Sequence, residues 1–286
     1  MKNTNKEVAW LLKEKYPNLA RSYLARLLRG HTSQGFNKDV ERLKAGEPLA
    51  YVIGFTDFLG CNIDLSKKPL IPRVETEFWV EQAIKEIKNR KPFGFAQGKI
   101  NNRLFILDIF SGSGCIGVAI LQHMKNAKVT FVEKDRKLLE QININCKLNN
   151  IDKKRYITAQ SDIFNNVKRK PALSGAEGFD YIFANPPYIP TIKKSKIQKS
   201  VLQYEPKKAL FGGKEGLFYI RKFLAGAKNF LNPNGRIFME FDSFQKREIE
   251  KLLKKYGYQA WEFHKDQYKR WRWVIIWNKH YENRTP

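Results

Sequence analysis

From Arg103 onward the sequence alternates short β-rich runs with longer amphipathic ones, and few folds accept that order. RLFILDIF leads to CIGVAILQHM and KVTFVEKD to LLEQININCKLNN; RYITAQSDIF, FDYIFANPPY, a helical stretch near 217–230, GRIFMEF and FQKREIEKLLKKYG follow. Strands separated by helical crossovers pair in parallel, carry helices on both faces and bind ligands at their carboxyl ends. The closing runs, YQAWEFHK and YKRWRWVIIW, are near enough in sequence to pair antiparallel with each other. An α/β fold with a mainly parallel sheet and an antiparallel C-terminal pair is therefore expected.

Residues 1–45 predict a small domain of about three helices. Val8, Leu11 and Leu12, then Leu19, Tyr23, Leu24, Leu27 and Leu28, recur at helical spacing, with breaks at Tyr16-Pro17-Asn18 and around Gly30. Residues 46–74 predict a short hairpin or extended connector, because Tyr51, Ile53, Phe55 and later Phe58, Cys61, Ile63 and Leu65 alternate around Gly60. Helical periodicity resumes at Glu75, so the second domain is placed at 75–286. KPFGFAQGK (91–99) and PALSGAEG (171–178) read as surface loops added to this plan. Residues 172–178 can be encoded by the reverse complement of codons for Pro-Phe-Gly-Ser-Ala-Gln-Gly, one residue away from 92–98. We read the two as one DNA element inserted twice in opposite orientations, at sites where a longer loop costs little closure entropy.

No run of eighteen or more uncharged apolar residues is present, and MKNTNKEVAW lacks the apolar stretch of a signal peptide. A cytoplasmic protein without membrane contact, and a monomer, is expected. Lys and Arg outnumber Asp and Glu by 53 to 28, a formal charge of +25. That charge suits a polyanionic neighbour such as the ribosome or a nucleic acid, and equally a lysine-rich proteome with no such partner. Cys61, Cys115 and Cys146 are far apart, and the four histidines form no ligand spacing with them, so neither a metal nor a disulfide framework is expected.

The segment LDIFSGSGCIGVAI sets Gly112-x-Gly114-x-x-Gly117 between a predicted strand and a predicted helix. Glycines there allow a tight turn and close approach of backbone to ligand. Glu133, at the end of the next strand, can accept hydrogen bonds from ribose hydroxyls. These features suit a dinucleotide and equally S-adenosylmethionine (SAM), which also carries a ribose and an adenine. Asp108, just before the turn, would repel a pyrophosphate but can hold a cationic amino group, which favours SAM. Asp162 and Ile163 follow the third strand, where an acceptor and an apolar wall can grip adenine; Asp162 can also be a helix cap.

Asn185-Pro186-Pro187-Tyr188 ends the fourth strand on the same edge. Two prolines cannot donate to a ladder and fix φ twice, so the carbonyls beside them are held out of the sheet. The Asn185 side-chain oxygen and the Pro186 carbonyl can accept both N–H bonds of a planar NH2 group, with Tyr188 packed on the group beyond. A methyl donor aligned with that nitrogen needs no strong base. Adenine and a glutamine amide both present such a group.

These motifs resemble the SAM-dependent amino-methyltransferases, and within them the HemK or PrmC type, the release factor glutamine methyltransferases. The resemblance covers nearly the whole chain: EPLAYVIGFTDFLG (47–60), LIPRVETE (70–77), the glycine turn, NPPYIP, YEPKKALFGGKEGL (204–217) and NPNGRIFMEF. It implies a Rossmann-like class I SAM-dependent methyltransferase domain behind a helical N-terminal domain that docks the substrate. It implies N5-methylation of the glutamine in the Gly-Gly-Gln loop of class 1 peptide chain release factors. Asp108, Phe110, Ser111, Gly112, Ser113, Gly114, Glu133, Asp162, Ile163 and Asn185 would contact SAM, while Asn185, Pro186, Pro187 and Tyr188 would hold the glutamine amide. Arg73, Glu75, Thr76 and Glu77 would belong to a loop closing near the cofactor, without individual roles. The sequence departs from the family pattern at Phe110 and Asp242, where glycine is usual, at Val74, where proline is usual, and at Ile163, where some relatives carry an aromatic residue. A glutamine of a ribosomal protein, an adenine of a nucleic acid, or RNA binding without catalysis are the competing readings.

Overall fold

Alternating burial along each strand builds two cores on opposite faces of one sheet. In a computed structural model of the chain, which describes residues 4–17, 34–90, 103–167 and 178–277, Ile106, Phe131, Tyr181, Phe183, Phe238 and Trp273 pack into one core. Their neighbours Leu107, Ile109, Val132, Ile182, Ala184, Ile237 and Val274 pack into the other. That is the period-2 geometry of a strand buried on both sides.

The N-terminal part holds α1 (Thr4–Lys15), α2 (Gln34–Lys44) and a short α3 (Leu49–Ile53), followed by the hairpin β1 (Phe55–Phe58) and β2 (Cys61–Asp64). Leu11, Leu12, Phe36, Leu43, Val52 and Ile53 close a small core of their own. The stretch beginning at Leu19 lies outside the described residues. The hairpin is present, but Tyr51 and Ile53 belong to a helical turn and not to an extended segment. Tyr51, Val52 and Ile53 are all buried, which one short helix wedged between two cores permits; Gly54, at φ 103°, ends it.

The second part continues with α4 (Val74–Asn89), β3 (Leu104–Ile109), α5 (Cys115–His123), β4 (Ala127–Glu133), α6 (Arg136–Leu148), β5 (Tyr156–Gln160) and β6 (Phe179–Ala184). Then come α7 (Lys199–Tyr204), α8 (Lys207–Leu210), α9 (Phe218–Ala227), β7 (Leu231–Glu240), α10 (Lys246–Lys255), β8 (Ala260–Lys265) and β9 (Trp271–Trp277). The sheet order is β5-β4-β3-β6-β7-β9-β8. The first five strands in that order are parallel. β9 runs antiparallel between β7 and β8, so the expected C-terminal pair forms and also adds to the sheet through its second member. Helices α4 and α5 cover one face and α9 and α10 the other.

The chain leaves β3 towards β4 and β5, then returns to place β6 on the other side of β3. A crevice opens at such a reversal, at the carboxyl ends of the strands. The two insert-like stretches, 91–99 and 171–177, lie outside the described residues. No helix among the described residues is long and apolar enough to cross a membrane.

Candidate active site

At the carboxyl ends of β3, β4 and β6 lies a cavity of about 580 Å³, the size of a small-molecule site. Residues 109–113, 132–136 and 161–163 form one side; residues 70–73, Thr76, Asn185, Pro187, Pro206 and Lys208 form the other. Phe110, Ser111, Gly112, Ser113, Glu133, Asp162, Ile163 and Asn185, all singled out from sequence, therefore share one wall-to-wall space. Gly114 lies directly ahead of α5, where its φ is 79° and an added Cβ would stand 3.0 Å from the Ile142 side chain.

Phe110 has φ 61°. A left-handed backbone costs a non-glycine residue roughly 1–2 kcal/mol, so the turn keeps a glycine's shape despite the phenylalanine. The ring is held edge-on against Tyr219, with centroids 6.0 Å apart, and lies 6.2 Å from Phe223. Ile163 has φ 56°, an outlier for a β-branched side chain, and is buried in the core beneath the cavity. Strain of this kind clusters where a binding site dictates the backbone.

Glu133 is more committed than its sequence position suggests. Its Oε2 accepts the Gly112 N–H at 2.9 Å, and its Oε1 accepts those of Lys134 and Asp135 at 2.8 and 3.0 Å. A carboxylate has about four acceptor positions, so three backbone bonds leave roughly one for a ligand hydroxyl. Burial raises its pKa against the opposing effect of the three N–H groups. Asp162 pairs with Lys134 at 2.9 Å; Ser161, not Asp162, caps the following turn through its bond from the Asn166 N–H.

Asp108 does not line the cavity. It is fully buried beneath α5, where one oxygen accepts the Gly117 N–H at 3.0 Å and Oδ1 has no partner among the described residues. Burial pushes its pKa up to about 8. The contact with a ligand's amino group expected from its strand-end position, direct or through water, would have to be made from a side chain that faces the start of α5 and does not itself line the cavity.

Asn185 reaches the cavity from the end of β6, and Pro187 joins the wall; Pro186 is buried behind it. Tyr188 is turned inward, its hydroxyl donating to Glu240 Oε1 at 2.8 Å. The backbone beyond is clamped by the segment at 204–217. Ile189 N–H donates to Leu210 O and Gly212 N–H to Ile189 O, both at 2.9 Å. Gln245 Nε2 donates to the carbonyls of Tyr188 and Gly216, each at 3.0 Å. Gly216, at φ 76°, passes so close that an added Cβ would meet Tyr188 O at 2.0 Å.

The LIPRVETE stretch separates into distinct tasks. Arg73 pairs with the buried Glu205 at 2.6 Å, and Glu205 also accepts the Ile71 N–H, which ties this loop to the segment at 204–217 across the cavity mouth. Glu77 accepts the Leu59 N–H at 2.7 Å and so holds the hairpin turn. Thr76 accepts from Asn185 Nδ2 at 3.3 Å and donates to Glu240 Oε2 at 2.7 Å. Glu240, almost wholly buried, also accepts Trp79 Nε1–H at 2.6 Å; burial raises its pKa against these hydrogen bonds. Glu205, Glu240 and Gln245 carry no prediction from sequence. Only Glu240 left a signal there, as a lone carboxylate in the otherwise apolar run IFMEF (237–241). Asp242, where glycine is usual, begins a capped turn with Gln245.

A family model described as "Conserved hypothetical protein 95" matches residues 84–223. The release factor glutamine methyltransferase of Thermodesulfovibrio yellowstonii is 36% identical over 79% of this chain and 75% of its own length. That of Flavobacterium psychrophilum is 35% identical over 79% and 74%. Among solved structures, the ribosomal protein L11 methylase of Lactobacillus delbrueckii subsp. bulgaricus superposes with a TM-score of 0.50, 17% identity, and coverage of 75% of this chain and 83% of that one. The fold is that of a class I SAM-dependent methyltransferase, and the chain belongs to the family of release factor glutamine methyltransferases.

Proposed function

We propose that this protein transfers a methyl group from SAM to the side-chain amide nitrogen of the glutamine in the Gly-Gly-Gln motif of class 1 peptide chain release factors. The observation that carries this is one space bounded by the glycine turn and Glu133 on one side and by Asn185 on the other, in a chain of this family. The residues suit SAM: the cavity has the volume, Glu133 keeps one acceptor position, and Gly112 has no obstruction to ligand approach from a side chain of its own. Residues 110–114 and Glu133 would hold the ribose and methionine portions, and Asp162 and Ile163 the adenine. When bound, SAM supplies a methyl carbon already activated by a sulfonium.

The chain's own task is then orientation. Asn185 Oδ1 and the Pro186 carbonyl would accept the two amide N–H bonds, leaving the nitrogen's out-of-plane face free to receive the methyl group; the departing sulfur would keep the C–S bonding pair, and one amide proton would leave along its hydrogen bond to one of these acceptors and pass to solvent. Tyr188 serves by holding the loop's shape, since its hydroxyl is already committed to Glu240. Holding reactants in a near-attack geometry supplies most of the acceleration such a transfer requires. Residues 1–45 would dock the release factor; α1 and α2 close a small core with Val52 and Ile53 that is distinct from the two cores of the sheet. The +25 charge would favour encounters near the ribosome, and a cytoplasmic monomer fits this role.

The test is transfer of label from SAM to release factor, ribosomal protein and DNA assayed in parallel. Label is expected in release factor; label in DNA alone would refute the reading. Asn185→Ala should abolish transfer and leave SAM affinity within about twofold, whereas equal loss of both would assign Asn185 to the cofactor.

A further inference from the structure

The buried chain Asn185–Thr76–Glu240 has a direction, and the direction is set by which groups own hydrogens. Trp79 Nε1 can only donate, and it donates to Glu240 Oε2. The same oxygen receives the single hydrogen of the Thr76 hydroxyl, at 2.7 Å. With that hydrogen spent, Thr76 Oγ1 can only accept from Asn185, so the NH2 end of the Asn185 amide must face Thr76. Its Oδ1 is then the end left for the cavity.

We infer that Thr76 and Glu240 are positioning residues for methyl transfer: Glu240, acting through the Thr76 hydroxyl, turns the Asn185 amide so that an acceptor oxygen, and not an NH2 group, meets the substrate. The inference rests on the function proposed above and goes beyond it, because it says why Asn185 presents the correct end. An amide is nearly symmetric in shape, and a reversed Asn185 would offer donors to an NH2 group that itself only donates. Asparagine alone cannot prevent this reversal.

The cost of the arrangement argues that it serves more than packing. A carboxylate taken out of water loses several kcal/mol of hydration, and well-packed apolar residues of similar volume are often as stable. Glu240 nevertheless stands at the end of β7 with Ile237, Phe238 and Met239 before it, all fully buried, and collects donors from α4 and from the Tyr188 loop. Thr76 comes from the LIPRVETE stretch, Asn185 from the strand-end motif and Glu240 from GRIFMEF. Thr76 thus links two segments, 109 and 164 residues further along the chain, by accepting from the Asn185 amide and donating to Glu240.

Four variants test this. Thr76→Val keeps the shape and removes the hydroxyl; Thr76→Ser keeps the hydroxyl. Glu240→Leu removes the acceptor and frees Thr76 to donate towards Asn185. Glu240→Gln retains an acceptor oxygen, which the Trp79 N–H selects for the Oε2 position. Thr76→Val and Glu240→Leu should lower kcat for release factor methylation roughly 10- to 100-fold, the scale of a misplaced reacting group. KM and the SAM dissociation constant should move less than threefold. Thr76→Ser and Glu240→Gln should each recover most of the loss. A Thr76→Val enzyme with kcat within threefold of wild type, a Gln variant as impaired as the Leu variant, or SAM affinity falling in step with kcat would each overturn the inference. A second readout is independent of substrate identity: in 15N spectra assigned with Asn185→Ala, the Asn185 side-chain amide protons should exchange slowly in wild type and Thr76→Ser and fast in Thr76→Val. Equal exchange in all three refutes the relay even if release factor is methylated, while slow exchange in an enzyme that leaves release factor unlabelled refutes the proposed substrate alone.

Discussion

Replacing Val74 by proline should stabilise this protein, and the magnitude can be worked from four local facts. Val74 is the first residue of α4, where an N–H has no partner within the helix. None of the hydrogen bonds described for the chain uses that N–H, the first one in this turn running from Glu77 N–H to Arg73 O. Arg73 has φ −104° and ψ 149°, the extended geometry that a following proline demands. The Val74 side chain is 55% exposed, so little packing is lost. Proline at a first helical position is pre-shaped for the helix, and a compatible substitution lowers the entropy of the unfolded chain by roughly 0.4–1 kcal/mol. For a chain of this size that is a rise of roughly 1–2 °C in Tm, measurable by calorimetry, with a matching increase in the urea midpoint. A fall in Tm would refute the reasoning, since it would mean that the Val74 N–H has an acceptor or that the helix begins elsewhere.

Three further outcomes are expected. At Phe110 the ring's packing and the backbone's strain can be separated: Phe110→Gly should be more stable than Phe110→Ala by about 1 kcal/mol, reversing the usual order of the two residues, as urea denaturation will show. Gly216→Ala should cost upwards of 2 kcal/mol and lower methyl transfer, because its Cβ would force Tyr188 O, 2.0 Å away, to move; an unchanged Tm would contradict this. Because burial pushes the Asp108 pKa from the ordinary 3.8 up to about 8, its protonated form is favoured in the folded state. Stability from this group is complete below pH 4 and declines as pH rises towards 8, where the unfolded chain has released the proton and the folded chain has not. Asp108→Asn, which can still accept the Gly117 N–H, should flatten that decline in Tm measured without SAM; a parallel profile would show that Asp108 ionises normally.

The readable parts of this molecule are those written in local patterns. Strands β3, β4, β6 and β7 show as apolar runs because both of their faces are buried, and the glycine turn shows because its backbone requires unusual dihedrals at adjacent positions. Asn185 was legible from two prolines that no ladder accepts. The three-residue overlap of Tyr51, Val52 and Ile53 with a helical turn was not legible, since a short, wholly buried run has no period to reveal. Glu205, Glu240 and Gln245, and the individual role of Thr76, were hidden for another reason: each derives its role from a partner dozens to more than a hundred residues away, and no local spacing records such a pairing. Asp108 shows a related limit: its strand-end position is visible in sequence, but its full burial against the start of α5 is not.

The two halves of the cavity differ in how far along the chain their parts are drawn. The side proposed for SAM draws its lining from residues 109–163, whereas the side proposed for the acceptor includes Thr76 and Asn185, held from behind by Glu205 and Glu240. Contacts that close long loops are entropically late. The wall at 109–163 can therefore assemble from neighbours, but the Asn185–Thr76–Glu240 hydrogen bonds cannot exist until β7 has docked beside β6. During synthesis, a chain halted before Glu240 would hold the glycine turn and Glu133 but not the hydrogen-bonded partner that fixes Asn185 through Thr76, so on the proposed reading methyl transfer would be the last capability the nascent chain acquires.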